Sequence, residues 1–276
     1  MDASLGEARG RRCAELHIIV LAKQVPDIER VQFDKDTHWV DRKSTDSEIN
    51  PFDLNAIEAA QQMKEKLGAT VTVISMGPPS AEAVLRECIA RNADRGILVT
   101  DEKLKGSDTL ATSRALAGAV KKVGDFDLIL CGEKTVDGDS SQIGPEVAER
   151  LNIPHMAFVS EIADVGEDKI NVTVETASGS LRAESPFPVL VTCTKELNTP
   201  RLPSLKDKMR ARKTETEKWS AADVAEESKV GAAGSATEVT AIEVPPEKKR
   251  KSISIKGENA ARELVAALDK EGLLKG

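Results

Sequence analysis

Apolar residues fall in short unbroken runs through the first half of the chain: HIIVLAKQV (17–25), TVTVISM (70–76), GILVT (96–100) and DLILC (127–131). Runs of this length, with little polar alternation, predict strands buried on both faces. Between them the spacing becomes helical. Ala56, Ala60, Met63 and Leu67 recur on one face, as do Leu110, Ser113, Ala117 and Val120, and then Ile143, Val147 and Leu151. Strand and helix patterns therefore alternate, and the expected fold class is α/β: a parallel sheet flanked by helices, Rossmann-like and suited to an adenine nucleotide.

Past residue 160 the pattern changes. KINVTVETASGSLRAE (169–184) alternates across a Ser-Gly turn and predicts a hairpin, and PVLVTCT (188–194) predicts one more buried strand. The basic, turn-rich stretch KELNTPRLPSLKDKMRARK (195–213) follows, and hydrophobicity stays low to about residue 256. A last amphipathic helix over 258–274 puts Ala261, Leu264, Ala267 and Leu268 on one face. The expected division is a loose extension over 1–15, a nucleotide- or flavin-binding domain over 16–195, and a docking loop and C-terminal arm over 196–276 that packs on another chain.

In sheets of this kind ligands bind beyond the carboxyl ends of the strands. Three loops have that position. Asn50, Pro51, Phe52 and Asp53 open a helix, with Asn as N-cap and Pro at the first helical position. Met76 ends the second strand at a Gly-Pro-Pro turn. The third loop, VDGDSSQIGPEVAERL (136–151), runs an acidic turn into a helix N-terminus. Unpaired N–H groups there carry the positive end of the helix dipole and attract anions. Asp137, Asp139, Ser140 and Ser141 suit the capping of that helix. The competing use is a nucleotide phosphate on the amides of Ser140, Ser141, Gln142, Ile143 and Gly144, with Gly138 and Gly144 allowing close approach. No Walker lysine follows, so nucleotide hydrolysis is not indicated.

Composition narrows the chemistry. A net charge of -7 over 276 residues disfavours nucleic acid as a partner. The four cysteines form no CxxC pair, so no metal cluster or dithiol motif is expected, only buried thiols. With three histidines and no tyrosine, side chains for acid-base catalysis near neutral pH are few, and no catalytic residue is assigned. Redox chemistry would need a cofactor. No apolar run reaches the roughly 18 residues of a membrane span, and the start lacks a signal-like segment, so the expected location is cytoplasmic.

Several stretches together resemble a known family. AKQVPD (22–27), NPFDLNAIEAA (50–60), SMGP (75–78), NADRGILVTD (92–101) and DGDSSQIGPEVAERLNIP (137–154) are similar, in order and spacing, to the beta subunit of electron transfer flavoprotein, and ELNTPRLPSLKDKMRARK (196–213) extends the likeness. The resemblance implies a heterodimer with an FAD-binding alpha subunit. It implies an adenine nucleotide on Leu21, Asn50, Pro51, Phe52, Asp53, Met76 and the loop-helix that begins with Asp137, Gly138, Asp139, Ser140, Ser141, Gln142, Ile143, Gly144 and Pro145. In ordinary members of the family that nucleotide is AMP, a structural ligand. In electron-bifurcating members it is a second FAD that takes a hydride from NADH.

The 136–149 loop and GSDTLATS (106–113) look more like the bifurcating group. That likeness implies hydrogen-bonding roles for Thr109 and Thr112 at the isoalloxazine; the alternative is that Ser107 or Asp108 only caps a helix. It further implies electron delivery to ferredoxin or flavodoxin and, through the alpha-subunit FAD, to an acyl-CoA dehydrogenase or quinone reductase, with Leu205 as the anchor for the docking partner. Lys206, Lys208, Arg210, Arg212 and Lys213 serve either docking or plain solvation. Two rivals stand beside this reading: an ordinary electron carrier with AMP, and a universal-stress-type nucleotide-binding protein of the same sheet architecture.

Overall fold

The computed structural model describes residues 16–27, 47–240 and 252–274, so the extension expected over 1–15 lies outside the described residues. From the N-terminus run β1 (His17–Leu21), β2 (Gln24–Pro26), β3 (Ser47–Ile49), α1 (Pro51–Leu67), β4 (Thr70–Met76), α2 (Glu82–Ala90), β5 (Arg95–Val99), α3 (Thr109–Val123), β6 (Leu128–Gly132) and α4 (Ile143–Leu151). Then come β7 (His155–Val165), β8 (Lys169–Thr176), β9 (Gly179–Pro186), β10 (Val189–Cys193), α5 (Leu205–Lys213), β11 (Glu217–Trp219), α6 (Ala221–Val224), α7 (Gly231–Gly234) and α8 (Ala260–Lys270).

The main sheet has nine strands in the order β11-β5-β4-β1-β6-β10-β7-β8-β9. All pairs from β11 to β7 are parallel, while β8 and β9 add on antiparallel. The chain steps outward from β1 through β4 to β5 and then returns to lay β6 on the other side of β1, which makes the β1–β6 boundary a topological switch point. Period-2 alternation divides each strand between two cores. Ile18 and Val20 pack with α1 and α2, while Ile19 and Leu21 pack with α3 and α4. That two-sided burial is why β1, β4, β5 and β6 read as continuous apolar runs.

The 17–25 run is broken where it was expected to continue. The sheet strand stops at Leu21, and β2 pairs antiparallel with β3 in a separate two-stranded ribbon. At the other end of the chain, residues 196–240 pack on this chain itself. β11 joins β5 at the sheet edge, and Trp219, Ala221, Val224 and Val230 are buried in the core that also holds α3. The compact unit extends to Thr240 and a second unit covers 241–276. Within the second unit α8 has no buried residue, and Leu264, Val265 and Leu273 are exposed.

Candidate functional site

The rim above the carboxyl ends of β1 and β6 is fastened by two side chains of the α1 N-terminus. Asp53 is almost fully buried and accepts from the Lys23 amide at 2.8 Å and from the Gly132 amide at 2.9 Å, joining the ends of both strands. Burial pushes its carboxyl up to about 6, against the hydrogen bonds that favour the charged form. Asn50 precedes the helix without capping it. Its Nδ2 donates to Lys134 O at 2.9 Å and its Oδ1 accepts from Val136 N at 3.2 Å, so it holds the loop after β6. Pro51 takes the first helical position, and Phe52 lies half-buried with the Lys134 ammonium 5.7 Å from its ring centre. A Cβ on Gly132 would stand 2.6 Å from Asp53 Oδ1 and from Phe52 Cβ, so only glycine lets α1 start this close to β6. Leu21 and Met76 end the neighbouring strands β1 and β4 on the same rim.

The loop into α4 behaves differently from a self-capping turn. Gln142 occupies the N-cap and no side chain caps the helix. Asp137 instead faces Lys23, whose Nζ donates to both carboxylate oxygens at 2.8 Å. Although partial burial pushes the Asp137 carboxyl up, this pairing wins and holds it below the ordinary carboxylate range. Asp139 pairs with Lys134 at 2.8 Å. Asp139 and Ser141 stand in the left-handed region at φ 46° and 54°, an unfavourable conformation for a serine. Gly138 has only Thr135 Oγ1 near a hypothetical Cβ, at 3.3 Å, and stays open. Gly144, expected to admit a ligand, faces the sheet: a Cβ there would meet Thr192 Cγ2 at 2.6 Å. Its closeness seats the first turn of α4 on β10, with Ile143 and Pro145 half-buried beside it and Ser140 exposed.

Thr109 and Thr112 lie half-buried in the first turn of α3, which Asp108 does cap, its Oδ1 accepting from Ala111 N at 2.9 Å. α3 and α4 are joined below their first turns, where buried Ser113 donates to Glu146 at 2.8 Å and accepts from Arg150 at 2.8 Å. Leu205 lies away from this rim, at the start of α5, and is 76 % exposed together with Leu202 and Met209. The segment leading to it is pinned to α1. Asn198 exchanges hydrogen bonds with Asn55, and Arg201 reaches buried Glu58 at 2.9 Å and Glu65 at 3.0 Å.

Residue reasoning passed over Lys23 and Lys134, whose ammonium groups neutralise the two loop carboxylates. A lysine just after β1 and another just after β6 was the available signal. Cys88, Cys131 and Cys193 are free and buried, and burial raises their thiols. Among the described residues no cluster suits a metal ion, and no helix is long and apolar enough to cross a membrane.

Comparison with known proteins shows the family. The electron transfer flavoprotein domain model matches residues 37–224. The electron transfer flavoprotein subunit beta of Megasphaera elsdenii is 42% identical over 84% of this chain and 89% of its own length. Protein FixA of Sinorhizobium fredii is 36% identical over 92% of this chain and 93% of its own, and Protein FixA of Azotobacter vinelandii is 40% identical over 85% and 86%. With a family match across most of the compact unit and relatives aligned almost end to end, the chain belongs to the electron transfer flavoprotein family, on its beta-subunit side.

Proposed function

We propose that this chain is the beta subunit of an electron-bifurcating, NADH-oxidising electron transfer flavoprotein, and that it pairs with an FAD-binding alpha subunit and holds a second FAD at the β1–β6 switch point. The observation that carries the binding site is the start of α4, which no side chain caps, flanked by two carboxylates already neutralised by Lys23 and Lys134. A phosphate placed on those amides meets the positive end of the helix, and Asp137 and Asp139 beside it are each paired with a lysine. The residues therefore fit a phosphate-bearing cofactor.

In this reading the amides of Ser140, Ser141, Gln142, Ile143 and Gly144 and the hydroxyls of Ser140 and Ser141 hold the phosphates, Asn50 and Asp53 keep the rim in place, and Leu21, Phe52 and Met76 contact the adenine half. Thr109 and Thr112 orient the isoalloxazine. When bound, FAD supplies the redox chemistry: hydride acceptance from NADH, then separate one-electron transfers to ferredoxin or flavodoxin and, through the alpha-subunit FAD, to an acyl-CoA dehydrogenase or quinone reductase. No side chain acts as a nucleophile.

The test is to co-express the chain with its alpha subunit, denature the purified heterodimer and quantify released FAD and AMP. Two FAD and no AMP, with NADH oxidation by the intact complex, is the expected result. One FAD with one AMP would replace this reading by that of an ordinary carrier with a structural nucleotide.

A further inference from the structure

The loop before α3 is held from outside by a segment far along the chain. Residues 229–237 wrap around residues 105–114 through directional hydrogen bonds. Ala232 N donates to Lys105 O at 3.1 Å, Gly231 N to Ser107 Oγ at 3.0 Å, and Arg114 to Gly234 O at 2.9 Å. Asp108 N donates to Ser235 Oγ at 2.9 Å. The Asp108 side chain is divided between two tasks. Its Oδ1 caps α3, while its Oδ2 accepts from Ala236 N at 2.7 Å, Thr237 N at 3.0 Å and Thr237 Oγ1 at 3.1 Å.

This contact is built for register more than for burial. Residues 231–237 are Gly, Ala, Ser and Thr, with little apolar surface to bury. The approach is close: a Cβ on Gly231 would stand 1.9 Å from Lys103 O, and one on Gly106 would stand 3.2 Å from Ala232 Cβ. Both glycines lie in the left-handed region, at φ 66° and 77°. Apolar packing tolerates sliding, whereas a set of short hydrogen bonds does not.

We propose that Asp108 is a positioning residue. By joining the cap of α3 to residues 236 and 237 through its carboxylate and to Ser235 through its amide, it fixes where Thr109 and Thr112 stand relative to the bound cofactor. The inference rests on the reading that the first turn of α3 meets that cofactor, and the experiment separates the two. In the co-expressed heterodimer, Asp108→Asn keeps size and shape but must turn an NH2 toward one set of N–H donors. Ser235→Ala removes the hydroxyl and Ser235→Thr keeps it.

The readouts are the visible absorption spectrum of the complex and the FAD retained per heterodimer after gel filtration, alongside Tm. The expected result is a shifted spectrum and about tenfold weaker FAD retention in Asp108→Asn and Ser235→Ala, with Ser235→Thr close to wild type. Thr109→Ala and Thr112→Ala serve as the direct test of the α3 contact. If they alter the spectrum while Asp108→Asn and Ser235→Ala change only Tm, the positioning role is overturned and the cofactor reading survives. If neither pair changes spectrum or retention, the α3 contact itself is wrong and the proposal fails with it.

Discussion

Asp53 shows how a residue picked for a ligand can be occupied by the fold. Its two oxygens are spent on the amides of Lys23 and Gly132, so it ties β1 to β6 beneath the rim. Its consequence for pH has a definite sign. The folded carboxyl titrates at about 6 and the unfolded one near the ordinary 3.8, so the folded state binds the proton more tightly between those values. The stability this group contributes is therefore greatest below the unfolded value and is lost as pH rises through about 6, by about 3 kcal/mol. Urea denaturation of wild type and Asp53→Asn should show wild type losing ground to the variant between pH 4 and 7, with no further change above 7. A constant difference across that range would mean that Asp53 is not buried as described. The sequence marked Asp53 and Asn50 as a helix start but had no means of showing what they bind, because Gly132 and Val136 lie about eighty residues away.

At the scale of elements, patterning served best where burial is two-sided. TVTVISM was expected as a strand over 70–76 and is β4, and the strands expected at 96–100, 127–131 and 188–194 lie within a residue of β5, β6 and β10. β7 was not anticipated, because HMAFVSEIADV mixes buried and exposed positions irregularly, with one register shift against β10 and two against β8. β11 was hidden for a different reason: three residues, two of them charged, form a strand only because β5 offers an open edge. The close fit of α3 to α6 yields a prediction of its own. A Cβ on Gly118 would stand 1.6 Å from Val224 O, so Gly118→Ala should push α6 off α3 at a cost of about 3 kcal/mol and lower Tm by about 10 °C. Calorimetry on the purified variant checks this; an unchanged Tm would show that α6 does not sit against α3.

For the whole molecule, the parallel sheet was legible in the order of runs and loops, and the family resemblance agreed with it. The arrangement of residues 217–231 was not legible, since their few apolar residues, Trp219, Ala221, Val224 and Val230, fill gaps whose shape is set by α3 and β5. Leu205 is exposed, as are Leu202 and Met209 near it in sequence, and we propose Leu205 as an anchor for a docking partner. Truncating Leu205 removes little burial, so Leu205→Ala should leave Tm within about 1 °C while raising the KM of the partner dehydrogenase for the reduced complex. Steady-state electron transfer at varied flavoprotein concentration measures it, and an unchanged KM would remove Leu205 from the docking surface. The position of β11 bears on how the chain assembles. Arg95 on β5 meets Glu217 on β11 across a separation of 122 residues, a pairing of high contact order. During synthesis the β5 edge, with Gly96, Ile97, Leu98 and Val99 all buried in the finished sheet, stays uncovered until more than three-quarters of the chain has emerged. The segment that shields this apolar edge from wrong partners is thus among the last of the compact unit to leave the ribosome.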